Sequence, residues 1–193
     1  WLKDGSVLIS DGKILEVTNS DLAVIGAKVV DAKGMYIVPG FVAMNVHGGG
    51  GHDFKECTEE AFHSAIAAHM KHGATTLFPT LSSSPKELIC KAVSICEKLM
   101  AEKDGPVLGL HVEGPYLNTK MAGNLYDVKD PDEEEYRSIL ESTNCIKRWD
   151  ASPELPGAHD FARYLRSKDI LAAITHTEAE FGDKIGRASC RER

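Results

Sequence analysis

Residues 110–116 read Leu110-His111-Val112-Glu113-Gly114-Pro115-Tyr116. A short strand runs into a carboxylate, and Gly-Pro then forces the chain to turn. His111 lies two residues before Glu113, so a strand presents both side chains on the same side. The stretch predicts a strand end that carries a working group.

Outward from this point the sequence alternates between strand and helix. Upstream, 36–47 predicts a strand ending at His47 and followed by the glycines 48–51; Thr58 to Lys71 predicts a helix stopped by Gly73. Residues 75–81 predict a strand, and Ser84 an N-cap for a helix from Pro85 to about Lys103. The strand through 110–116 starts near Pro106. Downstream, Pro131–Glu141 predicts an acidic-fronted helix, 146–151 a strand, 158–167 a helix, and 170–175 a strand ending at His176. Such alternation argues for a parallel sheet with crossover helices. The fold class expected is α/β: an incomplete (β/α)8 TIM-type barrel of about five βα units over residues 39–183. A complete barrel has eight strands and typically about 250 residues.

Residues 1–38 predict a small, partial β module. Ser6-Val7-Leu8-Ile9 and Lys13-Ile14-Leu15-Glu16-Val17 flank Asp11-Gly12, a hairpin signal, and Lys28–Asp31 reads as a further extended segment. The first residue is Trp1 and not Met, so residues are expected to precede it. The last ten, 184–193, carry four cations and one acid without helix or strand period. They resemble the translation of a vector or adapter joint and are expected to be a non-native tail.

Composition narrows the classes. The 193 residues are 42% hydrophobic and 26% charged, which supports one folded core and argues against disorder. A net charge of −7 argues against nucleic acid as a partner. No apolar run approaches the roughly 18 residues of a membrane span, and no signal peptide opens the chain. Five cysteines (57, 90, 96, 145 and 190) include no CxxC pair. They read as reduced thiols of a cytoplasmic protein.

Three strand ends carry metal-capable side chains: His47, Glu113 and His176. Carboxylate plus imidazole suits zinc or iron, and an open position leaves room for water. A lone strand-end histidine is more often structural, so it is the shared barrel face that raises all three. His111 reads as support behind Glu113 or as core. Glu154 reads as a hydrogen-bond partner at the barrel end. The glycines 48–51 lack the Gly-Lys-Ser/Thr ending of a P-loop and read as a tight turn admitting substrate.

Four segments in order sharpen this reading: PGFVAMNVHGGGGHDF at 39–54, GLHVEGPY at 109–116, SPELPGA at 152–158 and AITHTEAEF at 173–181. Together they resemble the N-acetylglucosamine-6-phosphate deacetylase family of the amidohydrolase superfamily, over residues 1–183. The resemblance implies hydrolytic removal of acetate from a small phosphorylated amino sugar in amino-sugar breakdown. It implies one divalent metal, zinc first and iron or another divalent ion as alternatives, held by Glu113 and His176. It places Gly123, Asn124 and Leu125 where the family touches the sugar, although Asn124 and Leu125 depart from the usual Gly-Ala-His. Many amidohydrolases carry Asp-x-His-x-His on the first strand; here Ala43 to His47 keeps only the last histidine. A single-metal site is therefore expected, with His47 a second-metal remnant or a wall residue. The implied catalytic aspartate and second metal histidine belong to later strands, so the chain as given is expected to be inactive and its parent to form homo-oligomers. Two alternatives stand beside this: another amidohydrolase acting on an N-acyl or cyclic amide, and a non-catalytic fragment or degenerate homologue.

Overall fold

The computed structural model describes residues 1–180; the expected tail at 184–193 lies outside them. The described chain divides into two units, Trp1–Pro39 and the remainder from Gly40.

In the first unit, β1 (Ser6–Ser10) and β2 (Lys13–Thr18) pair antiparallel. Asp11 and Gly12 join them with φ of 50° and 72°, as a type I′ turn requires. The extended segment expected at 28–31 forms no strand. Val29 and Val30 are exposed, so their apolar side chains gain no burial to repay the ordering of a third strand.

The second unit is built on a parallel five-stranded sheet flanked by helices. β3 (Phe41–Val46) opens it. A two-residue pair, β4 (Gly48–Gly49) with β5 (His52–Asp53), follows, and then a 3-10 turn at Phe54–Glu56 closed by a reciprocal Asp53–Glu56 cap. The remaining elements are α1 (Glu59–Lys71), β6 (Ala74–Ser82), α2 (Lys86–Met100), β7 (Leu110–Glu113), α3 (Glu133–Leu140), β8 (Ile146–Ala151), α4 (Ala158–Ser167) and β9 (Leu171–Ile174). The order across the sheet is β3-β6-β7-β8-β9, and every pairing is parallel.

Helix starts follow local chemistry. The Thr58 hydroxyl accepts the Ala61 N–H at 3.2 Å, and the Asp132 carboxylate accepts the Glu135 N–H at 3.0 Å. Ser84 does not cap α2 as the sequence suggests. Its hydroxyl donates to the Ser82 carbonyl at 2.7 Å, and Pro85 takes the cap position without a side-chain bond. The first barrel-type strand is also shorter than expected, because residues 36–40 remain outside the ladder.

The two faces of the sheet differ in chemistry. Leu77, Leu81, Leu110, Val112 and Trp149 belong to one buried cluster with Phe62, Ile89, Ile139 and Phe161 of the helices. Tyr116, Trp149 and Phe161 lock together there, with Tyr116 stacked on Trp149 at 5.8 Å and Phe161 edge-on to both. The alternate residues Thr80, His111, Glu113, Arg148 and Asp150 occupy the other face, in register across three strands. That polar face leads to the strand ends.

Candidate active site at the strand ends

The C-terminal ends of the parallel strands gather the three side chains singled out from sequence. Glu113 is the last residue of β7, His47 follows β3 directly, and His176 stands two residues beyond β9. Glu113 is 7% exposed. Its Oε2 lies 2.9 Å from His47 Nε2, and its Oε1 lies 3.1 Å from His176 Nε2. One carboxylate is therefore shared by two imidazoles from opposite edges of the sheet. The bond from His47 holds the Glu113 carboxyl below the usual range, against the upward push of burial. The same bond raises His47 above its ordinary value, opposed by burial.

The second ring nitrogens are informative. His176 Nδ1 is 2.9 Å from the Met121 carbonyl oxygen. A carbonyl only accepts, so Nδ1 donates and carries the ring proton. Nε2 of a neutral ring then turns a lone pair toward Glu113 Oε1, itself an acceptor. Two acceptors at this distance repel unless the ring is doubly protonated or a cation lies between them. This is the arrangement of a metal-binding histidine, whose other nitrogen donates to a carbonyl. Two donors held about 2.0–2.1 Å from one tetrahedral zinc lie roughly 3.3 Å apart. The 3.1 Å between Glu113 Oε1 and His176 Nε2 fits that spacing. His47 Nδ1 is buried without a hydrogen-bond partner among the described residues. No group of three His, Cys, Asp or Glu side chains among those residues is placed to hold an ion by itself.

His176 has φ of +47°, a left-handed conformation that costs a non-glycine residue roughly 1–3 kcal/mol. Surrounding bonds hold it there. The Ser152 hydroxyl accepts the Asn118 N–H at 2.7 Å and donates to the His176 carbonyl at 2.8 Å. Glu154 accepts from Asn118 Nδ2 (2.7 Å), the Thr177 hydroxyl (2.5 Å) and the Glu178 N–H (2.9 Å). Burial pushes the Glu154 carboxyl up, but these donors outweigh it and the group lies below its usual range. Asn118 carries no signal of its own in the sequence, and Ser152 stands out there only as part of the segment 152–158. The Ser-Pro-Glu segment after β8 was the available signal.

His111 is fully buried one layer beneath Glu113. Its Nδ1 is 3.0 Å from the Thr80 hydroxyl, which accepts the Val46 N–H at 2.9 Å, and its Nε2 is 3.0 Å from Asp150 Oδ1. Arg148 closes the network with a two-pronged bond to Asp150 at 2.7 and 3.0 Å. His111 thus ties the strand that delivers His47 to the strand that delivers Glu113.

Gly123 and Asn124 are exposed on a turn, and Leu125 is half-buried with its N–H on the Ala122 carbonyl at 3.1 Å. The loop meets His176 through Met121; no hydrogen bond links residues 123–125 to Glu113 or His176 among the described residues. Three of the four glycines after His47, Gly48 to Gly50, allow close packing. A Cβ on Gly48 would stand 2.1 Å from the His52 carbonyl oxygen, and one on Gly50 would stand 3.0 Å from the Ser64 carbonyl oxygen of α1. Their close approach is thus to this hairpin and to α1. Gly114 is equally constrained, with φ of +92° and only 3.0 Å between an added Cβ and Leu117 Cδ1. Gly114→Ala is expected to lower stability by about 1–2 kcal/mol, read from the denaturant midpoint.

No family model matches the chain. Similar proteins are nonetheless found along nearly all of it. The N-acetylglucosamine-6-phosphate deacetylase of Lysinibacillus sphaericus is 27% identical over 180 residues, covering 91% of this chain and 46% of that protein. The Homo sapiens deacetylase is 26% identical over 192 residues, covering 93% and 45%. The crystal structure of the Mycobacterium smegmatis deacetylase matches with a TM-score of 0.81 at 30% identity, over 93% of this chain and 47% of the other. The chain is a homologue of the N-acetylglucosamine-6-phosphate deacetylases. It spans about half the length of the deacetylases it matches. A mutant of the Mycobacterium smegmatis deacetylase, in complex with N-acetyl-D-glucosamine-6-phosphate, matches with a TM-score of 0.76. The matched proteins are enzymes, and the matches extend over the curled parallel sheet. No helix among the described residues is long and apolar enough to cross a membrane.

Proposed function

We propose that this chain supplies part of the active site of a metal-dependent N-acetylglucosamine-6-phosphate deacetylase in amino-sugar breakdown. The observation that carries the reading is the setting of His176, with Nδ1 committed to the Met121 carbonyl and the Nε2 lone pair turned to Glu113 Oε1. In this reading the five-stranded sheet is the first part of an eight-stranded barrel over residues 39–183, preceded by the β module at 1–38. Glu113 and His176 hold one divalent ion, zinc before iron or another metal.

When bound, such an ion lowers the pKa of a water and polarises the amide carbonyl. The protein's own contribution is placement. Glu113 presents an ionised carboxylate in a largely buried setting, and His176 presents a lone pair in a fixed direction. His47 stands at the second carboxylate oxygen and walls one side of the site, without a second imidazole two residues earlier to share an ion. Residues 123–125 line the approach of the phosphorylated sugar. A cytoplasmic, homo-oligomeric parent fits the same reading.

The aspartate that relays the proton to the departing amine is implied on a later strand and is absent from residues 1–193. The purified chain, assayed with zinc and N-acetylglucosamine 6-phosphate, is therefore expected to release no acetate above background. A longer version carrying the later strands is expected to turn over, with loss of activity on chelation. A longer version that turns over undiminished after metal removal would overturn the proposal.

A further inference from the structure

We propose that Ser152 and Glu154, at the end of β8, are positioning residues for His176, acting through Asn118 to fix the direction of both its ring nitrogens. The proposal rests on the reading of His176 as a metal ligand and adds what holds it in place.

The geometry converges on one short segment. Ser152 is fully buried, and its single hydroxyl ties the Asn118 N–H to the His176 carbonyl. Glu154, exposed at the rim, grips the backbone N–H of Glu178 and the side chain of Thr177, immediately after His176. With its other bond it holds Asn118 Nδ2. Asn118 in turn shapes the loop that receives the histidine: its Oδ1 accepts the Lys120 N–H at 2.9 Å, and its carbonyl accepts the Met121 N–H at 3.0 Å. The Met121 carbonyl is the acceptor for His176 Nδ1. Ser152 and Glu154 therefore fix both the backbone of His176 and the group that orients its ring.

This arrangement meets a specific need. A left-handed histidine at the end of an edge strand relaxes toward ordinary backbone angles unless it is over-determined. Relaxation would swing Nε2 away from Glu113. Partners that orient a ligating histidine typically change metal affinity about 10–100-fold when removed.

The test uses the whole 193-residue chain with Ser152→Ala, Glu154→Ala and Glu154→Gln. Long-range 1H–15N spectra of the metal-free protein report the protonated nitrogen of His176. Cobalt titration followed by its visible absorption reports ligand geometry, and far-ultraviolet circular dichroism reports the fold. The unsubstituted chain is expected to show an ordered, Nδ1-protonated His176. Ser152→Ala and Glu154→Ala are expected to average that signal and weaken cobalt binding about tenfold or more, with the fold retained. Glu154→Gln keeps the accepting oxygen and is expected to recover most of the affinity. The proposal is overturned if Glu154→Ala, folded, keeps both the His176 signature and the affinity of the parent. Should Ser152→Ala fail to fold, the rim substitution Glu154→Ala decides. Should the unsubstituted chain, which lacks the later-strand histidine, bind no cobalt, the imidazole spectra alone decide the positioning role, and a spectrum of His176 unchanged by Glu154→Ala overturns it.

Discussion

Glu113→Ala is expected to abolish measurable zinc binding by the chain, a loss greater than the roughly 100-fold seen when an outer partner is removed. Among the described residues the Glu113 carboxylate contacts both His47 Nε2 and His176 Nε2, so its removal takes away the proposed ligand and the link between the sheet edges. Isothermal titration with zinc checks this, and binding within tenfold of the unsubstituted chain would refute it. The same substitution is expected to flatten the pH dependence of stability in the metal-free protein. Glu113 lies below its ordinary value when folded, so its contribution is present above about pH 4.5 and lost as pH falls through the folded value. His47 lies above its ordinary value, so its contribution is present below about pH 6.5 and lost as pH rises through the folded value. Melting curves near pH 3, 5.5 and 9 should show a maximum at the middle value that Glu113→Ala reduces.

Asp150→Ala is the second large effect, and it acts on stability. Asp150 is fully buried and accepts two bonds from Arg148 while facing His111 Nε2 at 3.0 Å. Its removal leaves a half-buried guanidinium and a fully buried imidazole without their shared partner, and breaking a buried pair costs about 3–5 kcal/mol, the low end applying where one partner reaches solvent. That is a large part of the 5–15 kcal/mol that holds a typical domain together. The expected result is a shift of that size in urea unfolding at constant slope; a change below about 1 kcal/mol would show that Arg148 and His111 find other partners.

Much of the sheet was legible in the sequence because its strands and helices carry strong local signals. Residues 146–151 and 158–167 form the strand and helix that their patterns predict, and the Asp11-Gly12 turn closes its hairpin as expected. The shared placement of His47, Glu113 and His176 followed from one rule, that parallel strands point their ends the same way. What escaped was set by longer-range packing. Lys28–Asp31 has strand composition, but its valines stay exposed and form no ladder. Ser84 has a capping side chain but finds the nearer Ser82 carbonyl. The glycines after His47 form the expected turn, and the close approach of α1 to Gly49 and Gly50 is set by packing that the sequence does not announce. The bonds of Asn118 to Ser152 and Glu154 span 34 and 36 residues, and no periodicity in the chain announces them.

The indole of Trp149 donates to the Gly114 carbonyl at 2.7 Å, one residue beyond the metal-binding carboxylate proposed here. The chain has two tryptophans, and the other, Trp1, is almost wholly exposed. Their light emission therefore separates by colour: Trp1 emits at the red, water-exposed end of the spectrum, and Trp149 at the blue end. Trp149 is thus a built-in optical probe of the turn after Glu113, and cobalt entering the site should dim this blue component.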